Sequence, residues 1–324
     1  MKIESFPRKL FLFRNNLCMF AQTQNELHNM KHMSILAVSL LALVACTPEK
    51  KQEADYSQYV NPMIGTDFTG NTYPGAQVPF GMVQLSPDNG LPGWDRISGY
   101  FYPDTTIAGF SHTHLSGTGA GDLYDISFMP VTRPYKEAPA PLGIYSTFSH
   151  NDEAASAGYY RVLLKDYNIN VELTATERCG IQRYTFPEAE ASVFLNLKKA
   201  MNWDFTLDSK IEVVDSTTIR GYRLSQGWSP LQHVYFETRF SKPFVACHMD
   251  TTSIVTKEKG WIGTAYVARF DFNTKKDEEI LVTTGISGVS MEGAGKNLRA
   301  EAPKDDFDYY QAQASANWNR QLSK

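Results

Sequence analysis

Six aspartates lie in the loop-rich first part of the chain and are its candidates for a general acid and a general base. They are Asp67, Asp88, Asp95, Asp104, Asp122 and Asp125. General acid–base hydrolysis needs two carboxyl groups held in a fixed geometry, one to protonate the leaving group and one to activate water. None of the six lies in a motif that fixes such a pair. The sequence therefore predicts no catalytic residue in this part of the chain.

Trp94 is the residue whose type and setting best suit contact with a ligand. It lies in the segment DNGLPGWDR, residues 88–96, where two glycines and a proline punctuate the backbone. Such a loop usually presents a side chain, and an indole offers a flat apolar surface with one N–H donor. The apolar C–H face of a pyranose fits that surface, and the Asp95 carboxylate suits a sugar hydroxyl. The alternatives are an aromatic lid over the core for Trp94 and a solvated or turn-capping aspartate for Asp95.

A second candidate binding segment is the loop of residues 65–76, GTDFTGNTYPGA, which is dense in small and hydroxyl side chains. Glycine lets the backbone approach a ligand closely, and threonine and asparagine side chains form hydrogen bonds with sugar hydroxyls. We therefore predict substrate contacts from Thr66, Asp67, Phe68 and Asn71. The alternative is a tight structural turn.

The segment His112-Thr113-His114 places two imidazoles on one face if the chain is extended there. Two histidines are half of a metal site, but only Asp122 and Asp125 follow nearby as further ligands. The other interpretations are hydrogen bonds that hold the surrounding loop and a contact with a sugar hydroxyl. We include His114 among the predicted substrate contacts. Calcium prefers oxygen ligands, and the carboxylates here identify no site for it, so no metal ligand is predicted.

The segments that must position these residues are typical of many short strands. Apolar and polar side chains alternate in INVEL (169–173) and in HVYFETRF (233–240). SVFLNL (192–197), KIEVVD (210–215) and EILVTT (279–284) follow a similar pattern. A period of two indicates half-buried strands, and no long helical segment separates them. The sequence predicts an all-β fold, a large antiparallel β-sandwich of the supersandwich type.

The periodicity changes at the carboxyl end of the chain. Apolar side chains recur there at spacings of three or four, at Phe307, Tyr310, Ala314, Trp318 and Leu322. That spacing predicts an amphipathic helix, and the aspartates at its start suit the positive end of the helix dipole. An aromatic stripe needs something to pack against. We therefore interpret residues 59–290 as the sandwich and 291–324 as a linker and helix leading into a second domain.

The amino-terminal part has the pattern of an export signal. Residues 34–45, SILAVSLLALVA, form an apolar run of twelve after a lysine and a histidine. The run is too short for an ordinary transmembrane helix and has the features of a secretory signal. It ends at Cys46 in Leu-Val-Ala-Cys, which resembles the bacterial lipoprotein box, where acyl chains on the cysteine anchor the protein. The alternative is a cleaved signal with a chance cysteine.

These features predict a leader over residues 1–46, with the lipoprotein-type signal at 30–46, lipidation of Cys46 and a polar tether over 47–58. The expected location is the cell envelope of a Gram-negative bacterium, in the periplasm or at the outer-membrane surface, with a lipid anchor to the membrane. The chain carries 31 Lys and Arg against 35 Asp and Glu, a net charge of -4. That balance argues against a nucleic-acid partner, which selects for an excess of basic residues.

Several segments occur in an order that resembles glycoside hydrolase family 92. They are NPMIGT (61–66), GNTYPGA (70–76), PFGMVQLSPD (79–88), SGY (98–100), GFSHTHLSGTG (109–119), DLYDISFMP (122–130), AGYYRVLL (157–164) and VELTATERCGIQRYTFP (171–187). Lys296-Asn297-Leu298 and Trp318-Asn319 resemble the family as well. The similarity covers roughly residues 56–324, and many ordered segments are more specific than one isolated motif.

The resemblance implies a calcium-dependent, inverting exo-α-mannosidase, often specific for α-1,2 linkages. Family members have an N-terminal β-sandwich and a C-terminal (α/α)6 barrel, with the active site between them. It also implies that Trp94 lies near the mannose subsite and that the 65–76 loop lies near the domain interface. The general acid, the general base and most calcium ligands belong to the barrel. We expect that barrel, in cis or as a separate chain, to lie outside these residues, so no catalytic residue is transferred to this chain.

Three hypotheses follow from these observations. The first is the substrate-subsite-forming half of an exported α-mannosidase that acts on mannose-containing glycans and is inactive alone. The second is a stand-alone carbohydrate-binding module, with Trp94, Tyr100 and Tyr102 as its sugar platform. The third is a structural partner of a separately encoded barrel.

Overall fold

The computed structural model describes residues 54–117, 119–139, 142–198, 203–256 and 261–324, with the backbone alone for the parts of 251–265 among them. Residues 1–53, with the predicted leader, Cys46 and most of the tether, lie outside the described residues. The strands are β1 (Ser86–Asp88), β2 (Thr106–Ile107), β3 (Gly109–Ser111), β4 (Ser127–Thr132), β5 (Glu137–Ala138), β6 (Gly143–Ile144), β7 (Ser146–Thr147), β8 (Glu153–Ser156), β9 (Tyr159–Leu164), β10 (Ile169–Ala175), β11 (Cys179–Phe186), β12 (Ala189–Asn196), β13 (Phe205–Val213), β14 (Thr218–Gln226), β15 (Gln232–Phe240), β16 (Ala246–Thr256), β17 (Trp261–Thr274) and β18 (Glu278–Ser287). The α-helices are α1 (Met291–Glu301) and α2 (Phe307–Leu322).

Two large antiparallel sheets hold most of the strands. The six-stranded sheet has the order β1-β3-β4-β12-β17-β16, and the eight-stranded sheet has the order β13-β14-β15-β18-β11-β10-β9-β8. Two short pairs, β2 with β7 and β5 with β6, stand beside them. The predicted all-β antiparallel sandwich with a C-terminal helix is confirmed.

Strand β15 shows why the alternating segments form the sandwich. Its Val234, Phe236 and Phe240 are buried, whereas His233 and Tyr235, which point to the other face, are not. Successive side chains of a strand point to opposite faces, so one face of β15 turns to the core. The Phe240 ring lies 5.2 Å from the Phe270 ring of β17 in the opposite sheet, measured between centroids. Aromatic burial of this kind joins the two sheets, and each fully buried ring contributes roughly 1.5–3 kcal/mol.

The outer face of the eight-stranded sheet is covered by the two helices. A second hydrophobic cluster there combines Cys179, Ile181 and Leu281 of the sheet with Leu298, Ala302, Phe307 and Tyr310. Each helix begins at a side-chain cap. The Ser290 Oγ accepts from the Gly293 N–H at 3.0 Å, and Asp306 Oδ1 accepts from the Tyr309 N–H at 3.0 Å. Such caps stabilise a helix start by about 1 kcal/mol.

Part of the carboxyl-terminal stripe packs on the sandwich itself. Phe307, Tyr310 and Ala314 are buried against strands of the sandwich, and Trp318 Nε1 donates to the Gln77 carbonyl at 2.7 Å. The sandwich therefore covers the first half of the α2 stripe, and a second domain after residues 291–324 stays a prediction. The residues expected to form a linker also include helix α1, which the sequence analysis did not predict. Neither helix among the described residues combines the length and apolar character needed to cross a bilayer.

Candidate functional site

Trp94 opens a 3₁₀ turn, Trp94–Arg96, in the loop-rich part of the chain. Gly93 precedes it with φ +154°, a conformation that L side chains rarely adopt. Arg96 fastens the end of the turn, because its Nε donates to Asp104 Oδ2 at 2.6 Å. The indole is 59% exposed, so more than half of its surface is available to a ligand. Its contact with a ligand stays a prediction.

Asp95 is half-buried beside the exposed indole. The pKa of Arg96 is raised, first by its hydrogen bond to Asp104 and further by the charges of Asp104 and Asp95. The Asp95 carboxylate therefore sits next to a cation and an exposed aromatic ring. That combination suits a neutral ligand with hydroxyl groups, since the ring offers apolar contact and the carboxylate accepts hydrogen bonds.

The loop of residues 65–76 is closed by its own backbone. The Thr72 N–H donates to the Gly65 carbonyl at 3.2 Å, and a Cβ added at Gly70 would lie 2.3 Å from the Gly65 oxygen. These two glycines therefore let the loop close on itself, which supports the alternative of a structural turn for them. Thr66 Oγ1 donates to the Met63 carbonyl at 2.9 Å. Asn71 is buried, and its Oδ1 has no hydrogen-bond partner within the described part of the chain.

The outer side of this loop forms a wall of a surface concavity of about 600 Å³. Its lining comprises Asn61, Met63, Ile64, Gly65, Thr66, Asp67, Phe68 and Tyr102. Phe68 is 80% exposed, and the Asp67 Oδ1 accepts from the Phe68 N–H at 2.7 Å. The Tyr102 ring stacks on His150 with centroids 4.0 Å apart. The structure thus brings three of the predicted residues to one concavity, with Phe68 as its protruding apolar side chain.

Short contacts connect this loop to the Trp94 turn. The Gly117 N–H donates to the Asn71 carbonyl at 2.6 Å, and the Tyr102 N–H donates to the Thr66 carbonyl at 2.9 Å. A Cβ at Gly119 would lie 3.2 Å from the Trp94 ring, so Gly119 lies close to the indole. The predicted binding segments therefore belong to one interconnected group of loops.

His114 is placed differently from its prediction. Its side chain is fully buried, its Nδ1 donates to the Gln84 carbonyl at 2.7 Å, and its Nε2 lies 2.9 Å from Asp88 Oδ1. A ring whose two nitrogens are engaged in the interior does not reach a sugar at the surface. The prediction of a substrate contact from His114 is corrected to a supporting role inside the loops.

His112 is also an interior residue. Its Nδ1 donates to the Ile126 carbonyl at 2.7 Å, and desolvation lowers its pKa to about 4. The ring is therefore neutral at physiological pH. Among the described residues, no group of three or more His, Cys, Asp or Glu side chains is placed to hold a metal ion. The described residues thus supply no cluster of carboxylates for the calcium that the resemblance implies.

Five of the six candidate carboxylates have structural partners. Asp122 accepts from the backbone N–H groups of Trp228 and Ser229 at 2.9 and 3.0 Å, and Asp125 accepts from Arg223 at 2.7 Å. Asp88 and Asp104 face His114 and Arg96 as described above, and Asp67 caps its own loop. A general acid and a general base must be free to exchange protons with substrate and water. Five of the six candidate aspartates hold the loops together instead, and Asp95 is the exception.

Two aromatic residues differ from the predicted sugar platform of Trp94, Tyr100 and Tyr102. Tyr100 is fully buried and its hydroxyl donates to Glu153 at 3.0 Å, so it cannot be part of a surface platform. Trp203, which the sequence analysis missed, is 45% exposed. Its ring centroid lies 6.4 Å from that of Trp94. Its position just before the alternating strand β13 was the available signal, but nothing in the sequence linked it to Trp94.

Solved structures share this architecture. A family GH92 α-mannosidase from Bacteroides thetaiotaomicron, solved in complex with mannoimidazole, is 37% identical, with a TM-score of 0.76 over 83% of this chain and 37% of that chain. A family GH92 inverting mannosidase from Bacteroides thetaiotaomicron VPI-5482 is 26% identical, with a TM-score of 0.69 over 84% of this chain and 36% of that chain. The present chain thus spans little more than a third of the length of these enzymes.

A curated relative matches a smaller part of the chain. An uncharacterized secreted glycosidase from Arthroderma benhamiae is 26% identical over 172 residues, which are 50% of this chain and 21% of that protein. Residues 59–287 match the family model described as the Glycosyl hydrolase family 92 N-terminal domain. This match covers the sandwich from the loops around Trp94 to the last strand, β18. The chain belongs to glycoside hydrolase family 92, of which it carries the N-terminal domain.

Proposed function

We propose that this chain is the substrate-subsite-forming N-terminal half of an exported α-mannosidase that acts on mannose-containing glycans, with α-1,2 linkages as the expected substrate. Family membership and the similarity to GH92 mannosidases support the substrate class. The observation that carries the proposal is the 59% exposed Trp94 ring, held on a fastened turn beside the Asp95 carboxylate. An exposed indole next to a hydrogen-bond acceptor suits the apolar face and the hydroxyls of a pyranose.

The loop group divides into contact residues and support residues. The exposed rings of Trp94 and Phe68 and the half-buried Asp95 form the proposed contact surface, with Asp67 at the wall of the concavity. Thr66 and Asn71 shape the loop that carries Phe68. In this arrangement the chain binds and orients the sugar and excludes water from its apolar face, which places the scissile bond for a reaction that other groups perform.

Proton transfer in this proposal comes from groups outside the described residues. Five of the six loop aspartates are engaged in structural hydrogen bonds and ion pairs, and the sixth, Asp95, is a proposed sugar contact. These residues therefore do not supply the pair of carboxyl groups that inversion requires. Calcium would be held in the same outside part, which we propose to be an (α/α)6 barrel in cis or in a separate chain. When bound there, the ion would supply charge that orients sugar hydroxyls.

Hydrolysis of α-1,2-mannobiose in the presence of calcium tests the division of labour. The chain alone should release no mannose, because in this proposal the acid–base pair belongs to the barrel. The reading frame after codon 324 shows whether a barrel is encoded there, and the extended product should release mannose and lose that activity on chelation. Turnover by the chain alone at rates normal for an enzyme contradicts the proposal. Absence of hydrolysis by an extended product with calcium contradicts the mannosidase assignment.

Calorimetry on the chain tests the subsite itself. Wild-type protein should bind α-1,2-mannobiose at millimolar concentrations, and Trp94→Ala should weaken binding about tenfold, the equivalent of 1.4 kcal/mol. Phe80→Ala is the control, since Phe80 is 96% exposed but lies outside the loop group. Binding without hydrolysis by any extended product would favour the stand-alone carbohydrate-binding module.

Export and anchoring are a separate part of the proposal. The signal pattern over residues 30–46 supports cleavage before Cys46 and acylation of that cysteine. Mass spectrometry of the mature protein should find acyl chains on an amino-terminal Cys46, and Cys46→Ser should shift the protein from the membrane fraction to the soluble fraction. An unmodified amino terminus at another residue contradicts the anchor and leaves the sugar-binding proposal untouched.

A further inference from the structure

Trp94 and Trp203 form a pair of exposed rings that come from distant parts of the chain. Their centroids are 6.4 Å apart and their planes are inclined by 32°. The rings are 59% and 45% exposed. Two indoles at this separation are in aromatic contact, yet both keep a large part of their surface in solvent. The pair therefore offers an apolar surface about twice as wide as one indole.

A buried arginine connects the supports of the two rings. Arg223 of β14 is fully buried, and its Nη2 donates at 2.9 Å to Asp204, the residue that follows Trp203. Its Nη1 donates to Asp125 Oδ1 at 2.7 Å and to the Leu123 carbonyl at 3.1 Å. Arg223 thus ties the start of β13 to the segment of residues 122–126.

The segment of residues 122–126 also contacts the residue that follows the Trp94 turn. The Tyr124 hydroxyl donates to the carbonyl of Ile97, the residue that follows the turn. Leu123, Tyr124 and Ile126 have φ values of +89°, +62° and +57°. Three such residues so close together are unfavourable unless the surroundings hold them in place, and strained segments of this kind concentrate at binding sites. The strained segment therefore makes one hydrogen bond toward each ring. The Leu123 carbonyl accepts from Arg223, which holds Asp204 beside Trp203, and the Tyr124 hydroxyl donates to Ile97 after the Trp94 turn.

We propose that Trp203 extends the Trp94 surface into a two-ring platform that binds two successive pyranose residues of a mannose oligosaccharide, with Tyr124 and Arg223 as positioning residues. This proposal rests on the proposed function and adds its specificity. One pyranose covers the face of one indole, so a second indole contributes only when a second sugar is present. The platform should therefore distinguish an oligosaccharide from a monosaccharide glycoside.

Calorimetry with two ligands tests the platform. Trp203→Ala should weaken α-1,2-mannobiose about tenfold, as expected for the loss of one stacked ring, and should change the affinity for methyl α-mannopyranoside less than about twofold. Trp228→Ala is the matched control, because Trp228 is an indole 76% exposed whose ring is outside the pair. It should change neither affinity. Trp94→Ala should weaken both ligands.

The outcomes separate this inference from the proposed function. If wild-type protein binds both ligands and Trp203→Ala weakens them equally or not at all, the platform is wrong and the sugar site at Trp94 stands. If wild-type protein binds neither ligand, the proposed function fails and the platform fails with it. A loss of mannobiose affinity in Trp228→Ala equal to that in Trp203→Ala also overturns the assignment.

A spectroscopic test addresses the positioning residues. Two indoles in contact give an exciton couplet in far-ultraviolet circular dichroism, which should disappear in Trp203→Ala and in Trp94→Ala but persist in Trp228→Ala. Tyr124→Phe removes only the hydroxyl that holds Ile97. It should reduce the couplet and the mannobiose affinity together while the protein stays folded. An unchanged couplet and affinity in Tyr124→Phe contradicts the positioning role.

Arg223→Lys complements that variant, since an ammonium cannot reproduce the fork of bonds to both aspartates. Its couplet is measured under conditions where its fluorescence-detected unfolding shows a folded protein. A couplet equal to that of wild type contradicts the role of Arg223. If Arg223→Lys fails to fold, Tyr124→Phe decides the question.

Discussion

The outer face of the eight-stranded sheet and the loop group around Trp94 both carry aromatic side chains, but they use them differently. On the sheet, Phe307 and Tyr310 are each 2% exposed. In the loops, Phe68 is 80% exposed and Trp94 is 59% exposed. Burial of an aromatic ring is a large favourable contribution to folding, whereas an exposed ring contributes little. The same residue types therefore stabilise one region and remain available for binding in the other.

The difference comes from the backbone. Strands and helices satisfy their own hydrogen bonds in a repeating pattern, so side chains at regular spacing can all face one partner. In the loops, side chains must form hydrogen bonds with the backbone groups instead. Asp122 and His114 accept from or donate to main-chain groups, and little apolar surface remains to cover Trp94. Four predictions test this comparison, from the largest expected effect to the smallest.

Removal of a buried ring should cost most. Phe307→Ala should lower the free energy of unfolding by about 3–5 kcal/mol, because the cavity would adjoin Tyr159, whose ring centroid is 6.3 Å away, and Arg183. Phe68→Ala makes the same chemical change at an exposed site and should stay within about 0.5 kcal/mol. Urea unfolding of both variants measures the contrast. Equal losses would show that the two regions do not differ as described.

Glycines in the loops should differ by what surrounds them. Gly99 has φ +87°, and an added Cβ would lie 2.6 Å from Asp88 Oδ1, whereas Gly117 has φ +68° and nothing within 4 Å. Gly99→Ala should therefore destabilise by roughly 2–4 kcal/mol, from left-handed backbone and overpacking together. Gly117→Ala should lose about 1 kcal/mol, from the backbone alone. Thermal unfolding of the two proteins compares them, and similar losses would contradict the close packing around Asp88.

Asp204 should make stability depend on pH where the sheet meets the loops. Desolvation, and the charges of Asp125 and Asp122, outweigh attraction to Arg223 and raise its pKa from 3.8 to about 6. Burial of Arg223 disfavours its positive charge. The charges and hydrogen bonds of Asp125 and Asp204 outweigh burial, so the pKa of Arg223 is raised. Asp204 is the partner that takes up a proton, because its buried Oδ1 has no hydrogen-bond partner within the described chain.

The sign of the pH effect follows from that raised pKa. Between pH 3.8 and 6 the folded state binds the proton and the unfolded state does not, so the free energy of unfolding falls as pH rises. The fall attributable to Asp204 should be at most about 3 kcal/mol. Asp204→Asn cannot titrate and should show a smaller fall between pH 4 and pH 7 in urea unfolding. Identical pH profiles for variant and wild type would contradict the shift.

The smallest effect on stability is expected at Trp94 itself. Trp94→Ala should change the free energy of unfolding by no more than about 0.5 kcal/mol, because most of the ring already faces solvent. Guanidinium unfolding measures this beside the calorimetry that records its loss of sugar affinity. A loss of several kcal/mol would show that the ring packs as a core residue, and its exposure would then not mark a binding surface.

Local patterns predicted much of the fold. The alternation in HVYFETRF placed β15 with the correct face inward, and the spacing of Phe307, Tyr310 and Ala314 placed α2. The glycine and proline around Trp94 predicted an exposed loop. These features depend on neighbours in sequence, because strand and helix geometry repeat over two to four residues. The same spacing could not show that the α2 stripe packs on the sandwich, since its partners lie in strands β9 to β11.

The sequence by itself determined the periodicities, the ordered family segments and the loop that presents Trp94. Tertiary structure alone decided that His114 and Tyr100 are interior residues and that Trp203 lies beside Trp94, 109 positions away in the chain. Burial and contact between distant residues depend on how sheets and loops pack together. The buried Arg223 is an example, because a charge removed from water needs charged partners. The fold supplies them as Asp125 and Asp204, which lie in other parts of the sequence.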